Sequence, residues 1–234
     1  MAAQLEVVRI LTARLRGCAT LEVGVGTGRW ARPLQTNGIN VVGVDVSREM
    51  IAQGVRLGLN RVMLAEAGRL PFRHHTFDVA MTNHVLHLLP DWAEAIREIR
   101  RVTRGQYLTV VERPAELPDL DAEYHDAVSS AGVNTSRPGI HERDIGRRTN
   151  PDEVIPVGQF IEEVSSRAVL ERLRTRSQSS QWSVPDPVHA EVMDQLERNH
   201  RDEAVRSTLD VEIDIWSVER LPAIVAQESA IRGS

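Results

Sequence analysis

A carboxylate at Glu22, three glycines at Gly24, Gly26 and Gly28, and further acids at Asp45 and Glu66 are the residues of this chain best suited to hold a ligand. The run Leu21-Glu22-Val23-Gly24-Val25-Gly26-Thr27-Gly28 lies where an apolar strand gives way to a helix. Alternating glycines there admit backbone angles that other residues resist, and they let a ligand approach the main chain with no Cβ in the way. A dinucleotide turn starting at Gly24 needs a small residue at position 29, where the helix packs close to the strand, and this chain has Arg29. A carboxylate at Glu22 is repelled by a pyrophosphate and attracted by a sulfonium or an ammonium, so the turn is expected to take a cationic ligand.

Asp45 closes the second predicted strand, at the carboxyl edge where open α/β sheets bind ligands, and its paired oxygens can accept both hydroxyls of a ribose. The alternative is a partner for the dipole of the helix that follows. Glu66 closes the third strand and is followed by Ala67, so its side chain or the neighbouring backbone can address an adenine amino group. Asn83 and His84 close the fourth strand. A histidine pKa of about 6.5 suits proton transfer near neutrality, which makes His84 the general-base candidate, with a structural histidine as its rival reading. His87 lies one helical turn on. Tyr124, His125, Arg137, His141 and Trp182 are acceptor-side candidates by chemistry, although Trp182 between polar residues and prolines suits the stapling of a loop better. The histidines have no metal-ligand spacing, so no metal is expected.

The elements that must carry these residues alternate strand and helix patterns through the first half, the signature of a parallel sheet covered by helices on both faces. Leu5, Val8, Leu11 and Leu15 recur at helical spacing before Gly17. Strands are predicted at 20–23, 40–45, 61–66, 77–82 and 107–112, with Ser47 and Asp91 as helix caps. Ala168 to Arg174 predicts a sixth strand, Pro187 to His200 a helix, and Leu209 to Ile215 a last strand with one wet face. The whole chain, 1–234, is expected to be one domain, with 113–151 as a lid or acceptor-side insertion.

Composition narrows the chemistry. The chain has 234 residues, 41% hydrophobic and 26% charged, as an ordinary globular protein does. Its one cysteine, Cys18, excludes an internal disulfide framework. All 28 basic residues are Arg, so neither a Schiff-base lysine nor a lysine base is available. A net charge of −5 argues against a nucleic-acid partner held by a broad basic surface, and the Arg97-Arg100-Arg101-Arg104 cluster is expected to be a solvated helix face. No apolar run approaches the roughly 20 residues of a membrane span, and the start of the chain has no basic-then-apolar signal pattern, so a cytoplasmic location and no membrane partner are expected.

Glu22 to Gly28, Gly43-Val44-Asp45-Val46-Ser47-Arg48-Glu49-Met50, Leu70-Pro71-Phe72 leading to Phe77-Asp78, and Val85-Leu86-His87 ahead of Arg101-Val102 together resemble the class I S-adenosylmethionine-dependent methyltransferases, in particular the ubiquinone/menaquinone-methyltransferase-like (methyltransferase type 11) group. The resemblance covers roughly the first half of the chain. It implies an α/β, Rossmann-like, seven-stranded and mostly parallel sheet with helices on both faces and an antiparallel last strand. It also implies S-adenosylmethionine as cofactor and methyl transfer to a small or medium-sized organic acceptor. By matching position, Glu22, Gly24, Val25, Gly26, Thr27 and Gly28 would hold the methionine end, Asp45 the ribose, Glu66 with Ala67 the adenine, and Val46 and Met50 the faces of its ring. Asn83 joins the cofactor set, His84 is the catalytic candidate, and His87, Tyr124, His125, Arg137 and His141 form the acceptor set. Three departures stand out: Glu66 where the family often has Asp, Leu88 where many members have a second histidine, and a first strand that begins almost at once. The last leaves closure of the site to 113–151 or to a second copy of the chain in a homodimer. Two other readings are a non-catalytic S-adenosylmethionine-binding module and, against Arg29 and Glu22, an NAD(P)-linked oxidoreductase.

Overall fold

The computed structural model of the protein describes residues 2–115, 120–135, 137–176, 181–200 and 204–231. The elements follow in the order α1 (Ala2–Arg14), β1 (Thr20–Val23), α2 (Ala31–Thr36), β2 (Val41–Asp45), α3 (Arg48–Arg56), β3 (Val62–Leu64), β4 (Phe77–Thr82), α4 (Trp92–Val102), β5 (Thr103–Ala115), α5 (Leu120–Ser130), α6 (Ile145–Arg148), β6 (Glu153–Ser165), α7 (Ser166–Arg174), α8 (Asp186–Asn199), β7 (Ala204–Ser217) and α9 (Leu221–Ile231). The seven strands form one sheet in the order β3-β2-β1-β4-β5-β7-β6, mostly parallel with the last strands antiparallel. β1 runs at its heart, parallel to β2 on one side (Val23 opposite Val44) and to β4 on the other (Val23 opposite Thr82). All four β1 residues are buried, as a strand covered on both faces requires.

The chain forms two compact units, Met1–Glu112 with Pro138–Gly158 and Val211–Ser234, and Arg113–Arg137 with Gln159–Asp210. The stretch 113–151 is thus divided, its first 25 residues in the second unit and the rest in the first. α4 shows how the first unit is built. Trp92, Ala95, Ile96, Ile99 and Val102 recur on one face and are buried with Leu21, Phe77, Tyr107 and Trp216. Its opposite face is charged: Arg97 pairs with Glu94, Arg100 with Glu219 and Arg101 with Glu98, whereas Arg104, expected on the same helix face, lies on β5 and pairs with Asp78.

The second unit buries Leu120, Tyr124 and Val128 of α5 against Leu170 and Leu173 of α7 and Val192, Met193 and Leu196 of α8. Here one expectation is corrected: Ala168 to Arg174 is the body of helix α7, and the sixth strand lies before it, at Glu153–Ser165. The Ser165 side chain accepts the Ala168 N–H at 3.1 Å and caps the helix, while Leu170 and Leu173 meet the core at helical spacing. Pro156 and Gly158 interrupt the apolar pattern of the true strand. Two caps also part company. Ser47 accepts the Met50 N–H at 3.2 Å as expected, whereas Asp91 makes no side-chain cap bond and leads into α4 through its backbone.

Among the described residues no helix is long and apolar enough to cross a membrane, and no three His, Cys, Asp or Glu side chains are grouped to hold a metal ion.

Candidate functional site

Parallel strands β1, β2 and β4 end side by side, so the residues just past them crowd one edge of the sheet. The chain leaves β1 through Gly24, Gly26 and Gly28, with φ of +75°, +53° and +83°. Gly24 is doubly constrained, since a Cβ there would sit 2.5 Å from the Val85 side chain. The turn is tied to β2 by N–H bonds from Gly24 and Val25 to the Val44 carbonyl, at 2.9 and 3.0 Å. Asp45 completes the tie: Oδ2 accepts the Gly26 N–H at 2.7 Å and Oδ1 accepts the Ser47 N–H at 2.9 Å. Each of those oxygens retains a second lone pair, enough to receive a hydroxyl.

Glu22 stands inside this bend, 2% exposed. Its Oε2 is buried with no hydrogen-bond partner among the described residues. Burial pushes its carboxyl up to about 8, opposed by the Ala31 N–H and assisted by the negative charge of Asp45. An acid in that condition is stabilised by any cation that reaches it. The residues therefore fit the sulfonium and ammonium end of S-adenosylmethionine.

Val46 and Met50, just beyond Asp45, are 66% and 40% exposed. The Met50 methyl lies 3.3 Å from where a Cβ on Gly26 would be, so this apolar surface flanks the turn. Thr27 backs against Gly54 of α3, where a Cβ would come within 3.2 Å of the Thr27 backbone. Glu66 is exposed and bridges to Arg69 in a small antiparallel turn past β3, while Ala67 packs on the core. The Ala65 N–H reaches the Asp45 carbonyl at 2.9 Å, which carries that turn to the same edge.

Past β4, the Asn83 amide is held at both ends: its oxygen accepts from Trp30 Nε1 at 3.0 Å and its nitrogen donates to the Val110 carbonyl at 3.2 Å. His84 follows with φ +56° and a side chain more than half exposed. Its Nε2 lies 3.3 Å from Glu112 Oε2, and Glu112 also receives Arg29. His87 is buried, with Nδ1 3.8 Å from Glu142 Oε2, and its ring stacks on His141 at a centroid distance of 4.7 Å. Glu142 Oε1 accepts the N–H groups of Val85 and Leu86, at 2.7 and 3.0 Å. Burial works against the Glu142 charge, but His87 and the backbone donors hold its carboxyl below the usual range.

The edge thus gathers Glu22, the glycine turn, Asp45, Val46, Met50, Asn83, His84, His87 and His141. Tyr124, His125 and Arg137 belong to the second unit. Tyr124 is committed to that unit's interior, its hydroxyl 2.7 Å from His189 Nδ1. Trp182, expected to staple a loop to the core, is largely exposed, and its Nε1 donates to the Arg176 carbonyl at 2.9 Å. Glu112 and Glu142 are the site acids that sequence reasoning passed over. Their partners stand 28 and 57 residues away, and the available signal was an acid at the end of a predicted strand for Glu112 and none for Glu142.

Residues 21–111 match the methyltransferase domain family. The chain is 35% identical over 109 residues to a demethylmenaquinone methyltransferase of Bacillus cytotoxicus, a match covering 42% of this chain and 45% of that one. It is 34% identical over 96 residues to a phosphatidylethanolamine N-methyltransferase of Cereibacter sphaeroides, covering 38% and 47%. These matches span less than half of either relative. Among solved structures, the YcgJ protein of Bacillus subtilis superposes with a TM-score of 0.55 at 17% identity, over 89% of this chain and 97% of that one, a likeness of fold alone.

Proposed function

We propose, for a chain whose residues 21–111 form a class I S-adenosylmethionine-dependent methyltransferase domain, that it binds S-adenosylmethionine at the glycine turn and methylates a small or medium-sized organic acceptor. The observation that carries this reading is the buried Glu22 oxygen, without a hydrogen-bond partner among the described residues, two positions ahead of a turn whose three glycines take positive φ. When bound, the cofactor supplies a methyl group on a positively charged sulfur, activated for in-line displacement.

The chain's own part is binding, alignment and exclusion of water. Glu22 and the turn from Gly24 to Gly28 hold the cationic methionine end. Asp45 takes the ribose hydroxyls on its remaining lone pairs, Val46 and Met50 cover the adenine faces, and Glu66 with Ala67 meets the adenine edge. Asn83 braces the wall between Trp30 and β5, which keeps the His84 backbone in register with the turn. His84, exposed at the same edge, is the general base where the acceptor keeps its proton until attack. His87 and His141 line the acceptor side.

Calorimetry with S-adenosylmethionine, S-adenosylhomocysteine and NADH tests the binding. The first two are expected to bind and NADH to be ignored; NADH binding alone would overturn the proposal. A labelled-methyl screen across phenols, enols, amines and carboxylates then tests transfer, and cofactor binding with no acceptor labelled would favour a non-catalytic module.

A further inference from the structure

Two segments of the sheet edge converge on the Glu112 carboxylate of β5. Arg29, directly after the glycine turn, sends Nη1 to Glu112 Oε2 at 3.2 Å and Nη2 to Oε1. His84 Nε2 lies 3.3 Å from the same Oε2. A two-pronged guanidinium contact fixes the plane of a carboxylate, and with it the direction in which the carboxylate holds a third group. Burial disfavours the Glu112 charge, yet His84 and Arg29 outweigh it and hold the carboxyl at about 2. An ionised carboxylate can only accept, so the proton of the imidazole must sit on Nε2, which leaves the lone pair on Nδ1.

The backbone supports the same arrangement. His84 adopts φ +56°, a left-handed conformation that is strained for a non-glycine residue. The next two N–H groups, of Val85 and Leu86, are held by the buried Glu142, and Val85 packs over Gly24. The strained residue is therefore pinned from behind by Glu142 and from the β5 side by Glu112. The other titratable groups facing it are His87, whose ring centroid is 6.4 Å away, and, behind His87, Glu142 and His141.

We infer, building on the methyl-transfer reading above, that Glu112 is the positioning residue of a His84 general base, that Arg29 orients Glu112, and that the acceptor atom is a proton-bearing oxygen, a phenol or enol hydroxyl. A base is idle for a carboxylate or a neutral amine, which attack as they are. A phenol with a pKa of about 10 is ionised to only about one part in a thousand at pH 7, and gains from a base aimed at it. In the step, the acceptor oxygen bonds to the methyl carbon as the carbon–sulfur bond breaks with its electron pair left on sulfur. The hydroxyl proton passes to Nδ1 of His84, and the imidazolium formed beside Glu112 releases it to water.

The test has two arms on the full chain. In the first, nitrogen NMR of ring-labelled histidine is recorded with S-adenosylhomocysteine present. His84 is expected to carry its proton on Nε2, with a resonance that moves in Glu112→Gln and in Arg29→Gln. A proton on Nδ1, or a His84 signal indifferent to Glu112→Gln, overturns the inference. In the second, methyl transfer is followed to phenols and enols beside matched amines and carboxylates. His84→Ala is expected to slow transfer to a phenol by on the order of 100-fold, with partial recovery in added imidazole. Glu112→Gln is expected to lower kcat with KM little changed and to move the alkaline-activated limb of the pH profile to lower pH, and Glu112→Asp to recover part of the loss. Full-rate phenol methylation by His84→Ala, or labelling of amines or carboxylates with phenols and enols untouched, sinks it. Failure to bind S-adenosylhomocysteine is a separate outcome, which removes the methyl-transfer reading and this inference with it.

Discussion

The N–H of Gly26 donates to Asp45 Oδ2 at 2.7 Å, so the acid that ends β2 also holds the glycine turn in shape. In the proposed reading Asp45 acts twice, on the ribose and on the bend beside it. Asp45→Ala is expected to weaken S-adenosylmethionine binding by about 1.5–3 kcal/mol through loss of charged hydrogen bonds, roughly a 10- to 150-fold rise in Kd. Asp45→Asn, which keeps an acceptor oxygen for Gly26, is expected to fall between. Calorimetry checks both, and an unchanged affinity in Asp45→Ala would remove the ribose assignment.

Much of the candidate edge was legible in the residues because its neighbours are local in sequence. Gly24, Gly26 and Gly28 follow a strand within a few positions, and Asp45 ends the next one, so type and spacing alone place them together. Ser47 was legible as a cap for the same reason. Glu112 and Glu142 were not, because what matters about each is a partner brought close by the sheet across 28 or 57 residues. Asp91 had the type and place of a cap, yet its backbone at φ −103° and ψ 44° turns without using the side chain. The helix at Ser166–Arg174 was misread because Val169, Leu170 and Leu173 form a short apolar run that suits either element. Its cap, Ser165, arbitrates only once the preceding strand is seen.

Glu22 makes the ligand-free chain sensitive to pH in an unusual direction. In the folded chain its carboxyl stays protonated up to about 8, whereas in the unfolded chain it releases the proton near the ordinary 4.5. Between those values the unfolded state binds fewer protons, so this component of stability falls as pH rises from about 4.5 to about 8. Glu22→Gln is expected to flatten that slope in denaturation series run across the window. Binding a cationic ligand favours the ionised acid, so near pH 7 the wild type should release a proton on binding S-adenosylmethionine and Glu22→Gln should not. Calorimetry in buffers of different ionisation enthalpy reads that proton directly. Equal proton release by the two proteins would mean that the ligand's cation does not meet Glu22.

Glu142 anchors the turn that follows β4. Removing its side chain leaves the Val85 and Leu86 N–H groups without their acceptor, and deprives the buried His87 ring of its acid. A buried donor left unsatisfied costs about 1–3 kcal/mol, so Glu142→Ala is expected to destabilise the chain by about 2–4 kcal/mol. Glu142→Gln, which retains an acceptor for the backbone, should cost less than half as much. Chemical denaturation measures both. A loss under about 0.5 kcal/mol in Glu142→Ala, the size of an ordinary surface change, would mean that water takes over the two donors.

Tyr124 separates a structural role from an acceptor-binding one within the second unit. Its hydroxyl meets His189 Nδ1 at 2.7 Å inside the core formed by α5, α7 and α8, and the other ring nitrogen of His189 lies 3.3 Å from the Arg174 carbonyl. Burial lowers the proton affinity of His189, so the neutral ring is the form this core accommodates. With Nε2–H directed at the carbonyl, Nδ1 must accept, and the Tyr124 hydroxyl is its donor. Tyr124→Phe keeps the ring and its packing while deleting that donor, so the loss is expected to be about 1–3 kcal/mol, the cost of a buried acceptor left unpaired. Tyr124→Phe combined with His189→Leu should recover part of it, since an apolar pair leaves no unpaired atom. Methyl transfer, measured on the folded single variant, is expected to keep its KM for the acceptor. A KM raised several-fold with unfolding unchanged would instead place the Tyr124 hydroxyl on the acceptor and break the structural assignment.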